Sequence, residues 1–142
     1  MTHPMNLVRE FADTFGVETP GGPSMPTADV QAFRAKLIYE EAEELSNATD
    51  LIDYMDAVGD LLYVVYGAAL AAGFTSTQVD SAFREIHRSN MSKLWSDDEI
   101  DCIPADCRSV RVDDNRHIVR RWDGKIIKSP SYSPAKINLL LP

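Results

Sequence analysis

Acidic side chains at helical spacing are the residues of this chain best suited to chemistry. Glu41 and Glu44 stand about one helical turn apart, and Asp56 and Asp60 repeat that spacing a short distance downstream. Carboxylates with no His or Cys among them form a hard oxygen donor set, which binds Mg²⁺ or Mn²⁺ in preference to Zn²⁺. These residues therefore predict a divalent-cation site.

The helical phase of the first acidic run argues against an ordinary solvated surface. At about 100° per residue, Glu41 and Glu44 fall within about 40° of Leu37 on the apolar stripe. Glu40 borders this stripe, and only Glu43 faces solvent. Partly buried carboxylates one turn apart repel each other and resist ionisation unless protons or cations intervene. A bound divalent ion removes this conflict at neutral pH.

The second acidic stripe lies on a helix that is otherwise apolar almost all round. Asp60 falls within about 40° of Asp56, and an unpaired carboxylate inside a buried helix is costly. Packing of the two helices against each other collects five acids, named here the carboxylate cluster: Glu40, Glu41, Glu44, Asp56 and Asp60. Because Mg²⁺ usually takes only one or two carboxylates, two or more ions are expected.

Four helices are predicted to position the carboxylate cluster. Apolar periodicity and caps place these helices at residues 5–15, 27–48, 51–73 and 75–94. After Trp95, short β-branched runs at 119–122 and 125–128 flank Asp123-Gly124, a dipeptide favoured in two-residue hairpin turns. We expect an all-α four-helix bundle over residues 1–99. A C-terminal tail over 100–142 is expected to contain a short β-hairpin and to pack on the same domain.

Bulk properties restrict the partners and the compartment. A chain of 142 residues with 44% hydrophobic and 25% charged residues fits one globular domain. The net charge of −8 disfavours nucleic-acid polymers and anionic membranes, which repel such a field. The longest apolar run, at 61–72, is shorter than the ~20 residues of a membrane span. With two cysteines and no charged-then-apolar leader, the sequence predicts a cytoplasmic protein.

At the carboxylate cluster the sequence resembles the MazG-like, phosphoribosyl-ATP pyrophosphohydrolase-like family of all-α enzymes. The family carries an EExxE helix, matched here by residues 40–44, and then a helix with an acid three residues before an aspartate. Asp60 matches that aspartate, but position 57 is alanine, so Asp56 or Asp53 completes the set. The likeness continues through 87–93 and 123–130. Phage-encoded members, including MazZ-type enzymes, are the most similar in size and tail.

This resemblance implies a MazG-like bundle and a Mg²⁺-dependent hydrolase, with Mn²⁺ as a substitute, that splits an NTP or dNTP into its monophosphate and diphosphate. The MazZ-type likeness favours dNTP substrates, with dGTP among them. A homodimer or homotetramer is implied, as is the host cytoplasm if a phage encodes the chain. The alternatives are a dUTP or phosphoribosyl-ATP pyrophosphohydrolase, and a non-enzymatic acidic interaction module with outward-facing carboxylates.

Roles for the acids follow from the chemistry of pyrophosphohydrolysis. Glu40 and Glu41 are the expected catalytic residues, and all five members of the carboxylate cluster are expected metal ligands. Glu40, at the border of the apolar stripe, is suited to holding or deprotonating the attacking water.

Four further side chains are predicted to contact the substrate. Asn90 and Lys93 share one face of the fourth helix, where an amide suits a base edge and an ammonium suits a phosphate. Their alternative roles are a helix-packing hydrogen bond for Asn90 and an exposed surface position for Lys93. Arg34, seven residues before Glu41 and on its side, reaches a phosphate or pairs with an acid. Lys125, in the hairpin, is the fourth.

Overall fold

Capping side chains set the helix boundaries in the computed structural model, which describes residues 2–141. The Thr27 hydroxyl accepts a hydrogen bond from Val30 N at 3.4 Å, and the Asp50 carboxylate accepts from Ile52 N at 2.8 Å. The four helices are α1 at Pro4–Thr14, α2 at Ala28–Asn47, α3 at Leu51–Ala71 and α4 at Ser76–Met91. The expected helical fold is therefore confirmed, with each boundary within a few residues of its prediction.

The chain divides into two compact units, Met1–Val79 and Asp80–Pro142. In the first unit, α1 and α2 both pack on α3. The short connection at 48–50 makes α2 and α3 an antiparallel pair. The buried residues of this unit's core are Met5, Val8 and Leu70, with Tyr66, Ala69, Phe74 and Val79 packed against them.

The Pro- and Gly-rich loop between α1 and α2 is held against the end of α3. Ser24 N donates a hydrogen bond to Ala72 O at 3.0 Å. Gly73 has a φ of 73°, which favours glycine, and a Cβ there would lie 2.1 Å from Gly22 O. The loop therefore has one fixed attachment despite its composition.

The second unit contains the C-terminal part of α4 and a three-stranded antiparallel sheet. The strands are β1 at Trp95–Ser96, β2 at Cys107–Asp113 and β3 at Arg116–Arg121, in the order β1-β3-β2. A 3-10 helix spans Asp97–Cys102. Trp95 and Val119 are buried, and the Trp95 indole donates a hydrogen bond to Ile127 O at 3.1 Å.

The position of the main β-hairpin differs from the prediction. The predicted turn at Asp123-Gly124 forms, with Gly124 N donating to Arg121 O at 2.9 Å. The predicted pairing around this turn is short: Arg121 N donates to Lys125 O and Ile127 N donates to Val119 O, both at 2.9 Å, on either side of a bridge between Arg120 and Ile126. The longer hairpin pairs β2 with β3 across 114–115. Because β2 already occupies one edge of β3, the chain after Gly124 can pair only along the other edge.

No single helix among residues 2–141 is long and apolar enough to cross a membrane. The bent pair of α3 and α4 meets the same criteria of length and composition when the two helices are taken together.

Candidate active site

The carboxylate cluster lies on the antiparallel pair formed by α2 and α3, on both sides of the connection at 48–50. Glu40, Glu41 and Glu44 occupy the last turns of α2. Asp56 and Asp60 occupy the second and third turns of α3. Antiparallel packing brings these turns side by side, because residues equally distant from a short connection face each other.

Glu41 is where the charges of the carboxylate cluster converge. Its side chain is half-buried. Burial is the largest cause that raises the pKa of the Glu41 carboxyl. The negative charges of its cluster neighbours raise it further, in the order of decreasing effect Glu44, Asp60, Glu40 and Asp56. Both causes disfavour the charged form. Acids from both helices therefore act on one carboxyl group.

The remaining acids of the carboxylate cluster are more exposed than the helical phase predicts. Glu44, Asp56 and Asp60 are exposed, and α2, all of it within the described residues, has no buried side chain. Partial burial was expected for both Glu41 and Glu44 and is found only for Glu41. The reason is that α2 packs on α3 but leaves its own apolar face open, with Phe33 56% exposed.

The departure at position 57 has a packing explanation. Ala57 is buried, at 4% exposure, whereas Asp56 one residue earlier is exposed. A carboxylate at position 57 would be desolvated, while Asp56 lies near enough to raise the pKa of Glu41 and stays in contact with water. Asp53 accepts a hydrogen bond from the Thr49 hydroxyl at 3.2 Å, at the start of α3.

The donor chemistry of the carboxylate cluster fits a hard divalent cation. The sequence has no Lys or Arg between residues 37 and 83. Lys36 forms an exposed ion pair with Glu40 at 3.4 Å, and among residues 2–141 the other acids of the carboxylate cluster form no ion pair with a basic side chain. Among residues 2–141, no three His, Cys, Asp or Glu side chains already stand in an arrangement able to hold a metal ion. The acids of the carboxylate cluster therefore lie near one another, but their side chains do not surround one point at which a metal ion would bind.

Arg34 lies two turns before Glu41 and lines a cavity between α1, α2 and α3. The Arg34 Nε atom is buried and has no hydrogen-bond partner within the described residues. The guanidinium also lies against α3, because a Cβ added to Gly67 would be 3.0 Å from Arg34 Nη1. Neither of the two predicted roles, pairing with an acid or reaching a phosphate, is visible in these contacts.

Asn90 and Lys93 line one cavity in the second unit. Lys93 Nζ donates a hydrogen bond to Asn90 Oδ1 at 2.7 Å. The cavity has an empty volume of ≈ 920 Å³, and its other lining residues are Met91, Leu94, Val112, Arg116, Ile118 and Ile126. Lys125 is exposed, and its backbone N donates to Asp123 Oδ1 at 3.1 Å. Lys125 does not line this cavity.

Sequence reasoning missed part of both cavities. Arg116 and Val112 reach the Asn90 cavity from β3 and β2, which were not predicted to pair. Phe11 and Thr19 line the Arg34 cavity from α1 and the following loop. Of these residues only Phe11 had a signal in the sequence, because α1 carries aromatic residues. Packing of those residues in the hydrophobic core explained their presence equally well.

The phosphoribosyl-ATP pyrophosphohydrolase family model matches residues 8–90, which is more than half of the chain and includes the whole carboxylate cluster and Asn90. No curated protein matches the chain. The activity that this family implies is nucleoside triphosphate pyrophosphohydrolysis, a hydrolysis of acid anhydrides that is generally Mg²⁺-dependent. With this match and the same acids on two adjoining helices, the chain belongs to the phosphoribosyl-ATP pyrophosphohydrolase family, within the MazG-like superfamily.

Proposed function

We propose that this chain is a Mg²⁺-dependent pyrophosphohydrolase that cleaves an NTP or dNTP to its monophosphate and diphosphate, with Mn²⁺ as a substitute metal. The observation that carries the proposal is that four acids, carried by two helices, lie near enough to Glu41 to raise its pKa. Deoxynucleotides are the proposed substrates, and dGTP is the first candidate among them. The cytoplasm is the proposed compartment.

Within the carboxylate cluster, Glu41, Glu44 and Asp60 are the proposed metal ligands, with support from Asp56. Bound Mg²⁺ would neutralise phosphate charge and acidify water at this site. Glu40 is exposed and is the proposed base: it takes a proton from the water that attacks the α-phosphorus. The bond to the bridging oxygen then breaks, and its electron pair leaves with the diphosphate.

Three side chains predicted from the sequence are kept as proposed substrate contacts. Lys93 is the proposed phosphate contact, Asn90 the proposed hydrogen-bonding partner beside it, and Lys125 a weaker phosphate contact from the turn.

A homodimer or homotetramer is the proposed assembly. On α3, one stripe of apolar side chains is strongly exposed: Leu51 at 85%, Ile52 at 80%, Met55 at 71% and Leu62 at 52%. Monomeric proteins rarely leave so continuous an apolar surface open to water. A second copy of the chain would cover it.

The decisive experiment is a panel of the four NTPs, the four common dNTPs, dUTP and phosphoribosyl-ATP, assayed with Mg²⁺ or Mn²⁺ for diphosphate against orthophosphate. We expect diphosphate and a monophosphate in equal amounts, and no turnover after chelation of the metal. Release of orthophosphate, or no turnover of any substrate, would overturn the proposal.

Two other functions have specific support, and a third, dUTP hydrolysis, is distinguished by the same panel. The family's description favours phosphoribosyl-ATP as the substrate, and preferential turnover of that compound in the panel would establish it; preferential turnover of dUTP would establish a dUTP hydrolase instead. The exposure of Glu44, Asp56 and Asp60 is compatible with an acidic interaction module. Such a module would bind a basic partner and release no diphosphate.

A further inference from the structure

The cavity between α1, α2 and α3 has no role in the chemistry proposed for the carboxylate cluster. Its volume is ≈ 210 Å³, smaller than the roughly 300–1,000 Å³ of a site that encloses a whole drug-sized ligand. Apart from Arg34, the lining residues are largely apolar: Val8, Phe11, Ala12, Val17, Thr19, Leu37, Tyr63, Val64, Gly67 and Leu70. Phe11 and Tyr63 contact each other edge to face, with ring centroids 5.9 Å apart. One wall is therefore aromatic.

Arg34 is the charged side chain of this cavity, and its Nε is buried without a hydrogen-bond partner within residues 2–141. Its guanidinium carbon lies 5.9 Å from the centroid of the Phe33 ring. A guanidinium has only donors, arranged in a planar fork. A buried donor without an acceptor is costly. The cavity thus presents one unused donor, Nε, as part of a planar fork in apolar surroundings, which suits a flat ligand with acceptors on one edge.

The cavity lies along the same helix pair as the carboxylate cluster. Arg34 precedes Glu41 by two turns on α2, and Gly67 follows Asp60 by two turns on α3, so both separations are about 10 Å along the helices. Because α2 and α3 are antiparallel, both steps run in the same direction. A nucleotide whose α-phosphate lies at the carboxylates can place its base at Arg34.

Resting on the proposed function, we propose that this cavity is the nucleobase pocket and that Arg34 determines base specificity. The guanidinium fork pairs with two adjacent acceptors, as Arg does with O6 and N7 of guanine. Cytosine offers N3 and O2 in the same way. Adenine places an amino donor beside N7, and uracil and thymine carry an N–H between their carbonyl groups. Phe11 and Tyr63 supply aromatic surface for the ring.

The test separates base recognition from hydrolysis by using nucleosides, which carry no phosphate. Binding of deoxyguanosine, deoxycytidine, deoxyadenosine and thymidine is measured by ligand-observed NMR for the full chain. We expect deoxyguanosine or deoxycytidine to bind at least 10-fold more tightly than the other two, as expected for a bidentate pair. The two nucleosides distinguish which acceptor pair is used.

Two variants displace the donors by different means. Arg34→Lys keeps the charge but removes the planar fork. Gly67→Ala places a methyl group 3.0 Å from Arg34 Nη1 and improves helix propensity, and circular dichroism verifies that the variant is folded. Gly59→Ala is the control, since it makes the same change in α3 with nothing within 4 Å. We expect base preference to fall about 10-fold in Arg34→Lys, several-fold in Gly67→Ala and not at all in Gly59→Ala.

Each other outcome contradicts the inference. Equal binding of all four nucleosides, no binding, or an unchanged preference in Arg34→Lys would overturn it. If Arg34 contacts phosphate instead, Arg34→Lys weakens all triphosphates equally and leaves nucleoside binding unaltered. The proposed function can fail separately: nucleosides would then bind with the expected preference while the triphosphates are not cleaved.

Discussion

Glu41 and Glu43 stand two residues apart in one acidic run and have different surroundings. Glu41 is half-buried beside acids from α3, whereas Glu43 is exposed. We expect Glu41→Gln to lower kcat by about 100-fold or more and Glu43→Gln to leave it unchanged. Steady-state rates of diphosphate release, with circular dichroism to verify folding, provide the measurement. Equal effects of the two substitutions would remove Glu41 from the mechanism.

The raised pKa of Glu41 also predicts a pH dependence of stability. A carboxyl group whose pKa is raised by folding holds more protons in the folded state, so its contribution to stability falls as pH rises above 4.5. In the absence of divalent ions, we expect Glu41→Gln to raise the thermal midpoint at pH 7. This gain should disappear near pH 4, where Glu41 becomes protonated. Thermal unfolding of both proteins in a chelating buffer tests this, and a lower midpoint for the variant at pH 7 contradicts it.

Individual residues of the candidate site were predictable when helical phase determined their neighbours. The helical phase placed Glu41 and Asp60 on the stripes that face each other. The position of a residue around its helix depends only on the sequence of that helix, so it can be predicted. The phase could not reveal the exposure of Glu44, which depends on how little covers α2. Nor could it place Arg34 in a cavity, since Phe11 and Thr19 come from distant parts of the chain.

At the scale of elements, the helices and the short hairpin at Asp123-Gly124 were predictable, whereas strand β2 was not. Caps such as Thr27 and Asp50 act within one turn, so the sequence reports them directly. Strand β2 exposes nearly every side chain, including Val110 at 56%, and therefore lacks the alternation that marks a half-buried strand. It exists because its backbone pairs with β3, and that pairing is not local.

Glu85 of α4 connects this helix to the C-terminal segment within the second unit. Its carboxylate accepts from Arg88 Nε at 2.8 Å and from Lys136 N at 2.8 Å, and these bonds lower its pKa to about 2. The resulting stability is present above pH 4.5 and is lost as pH falls toward 2. We expect Glu85→Gln to increase hydrogen exchange of the Lys136 amide at pH 7.

The control for this prediction is Asp101→Asn, a change at an exposed acid of the same unit. Exchange at Lys136 should remain at the wild-type rate in that variant. In wild-type protein, the exchange rate of the Lys136 amide, corrected for its intrinsic pH dependence, should increase as the pH falls from 4.5 to 3. Identical protection in wild type and Glu85→Gln would show that the carboxylate does not hold the segment.

At the scale of the whole molecule, the apolar stripe on α3 and the acids of α2 and α3 occupy the same helix pair. Residues 1–79 hold twelve acids and three basic residues, so two copies that meet through this pair repel each other. Divalent ions bound by the acids would reduce the repulsion, and added salt would screen it. Assembly should therefore weaken on chelation of divalent ions at low ionic strength and recover when salt is added.

The apolar stripe itself can be tested by placing a charge on it. Ile52 is 80% exposed in the single chain, so Ile52→Glu removes little from the fold, but a carboxylate buried between two copies would be strongly unfavourable. We expect wild-type protein to be a dimer or tetramer by light scattering and Ile52→Glu to be a monomer at the same concentration. Leu139→Glu, at a residue 71% exposed in the second unit, is the matched control and should assemble as wild type does. A monomeric wild type, or an Ile52→Glu variant that still assembles, would show that α3 does not form the contact between copies.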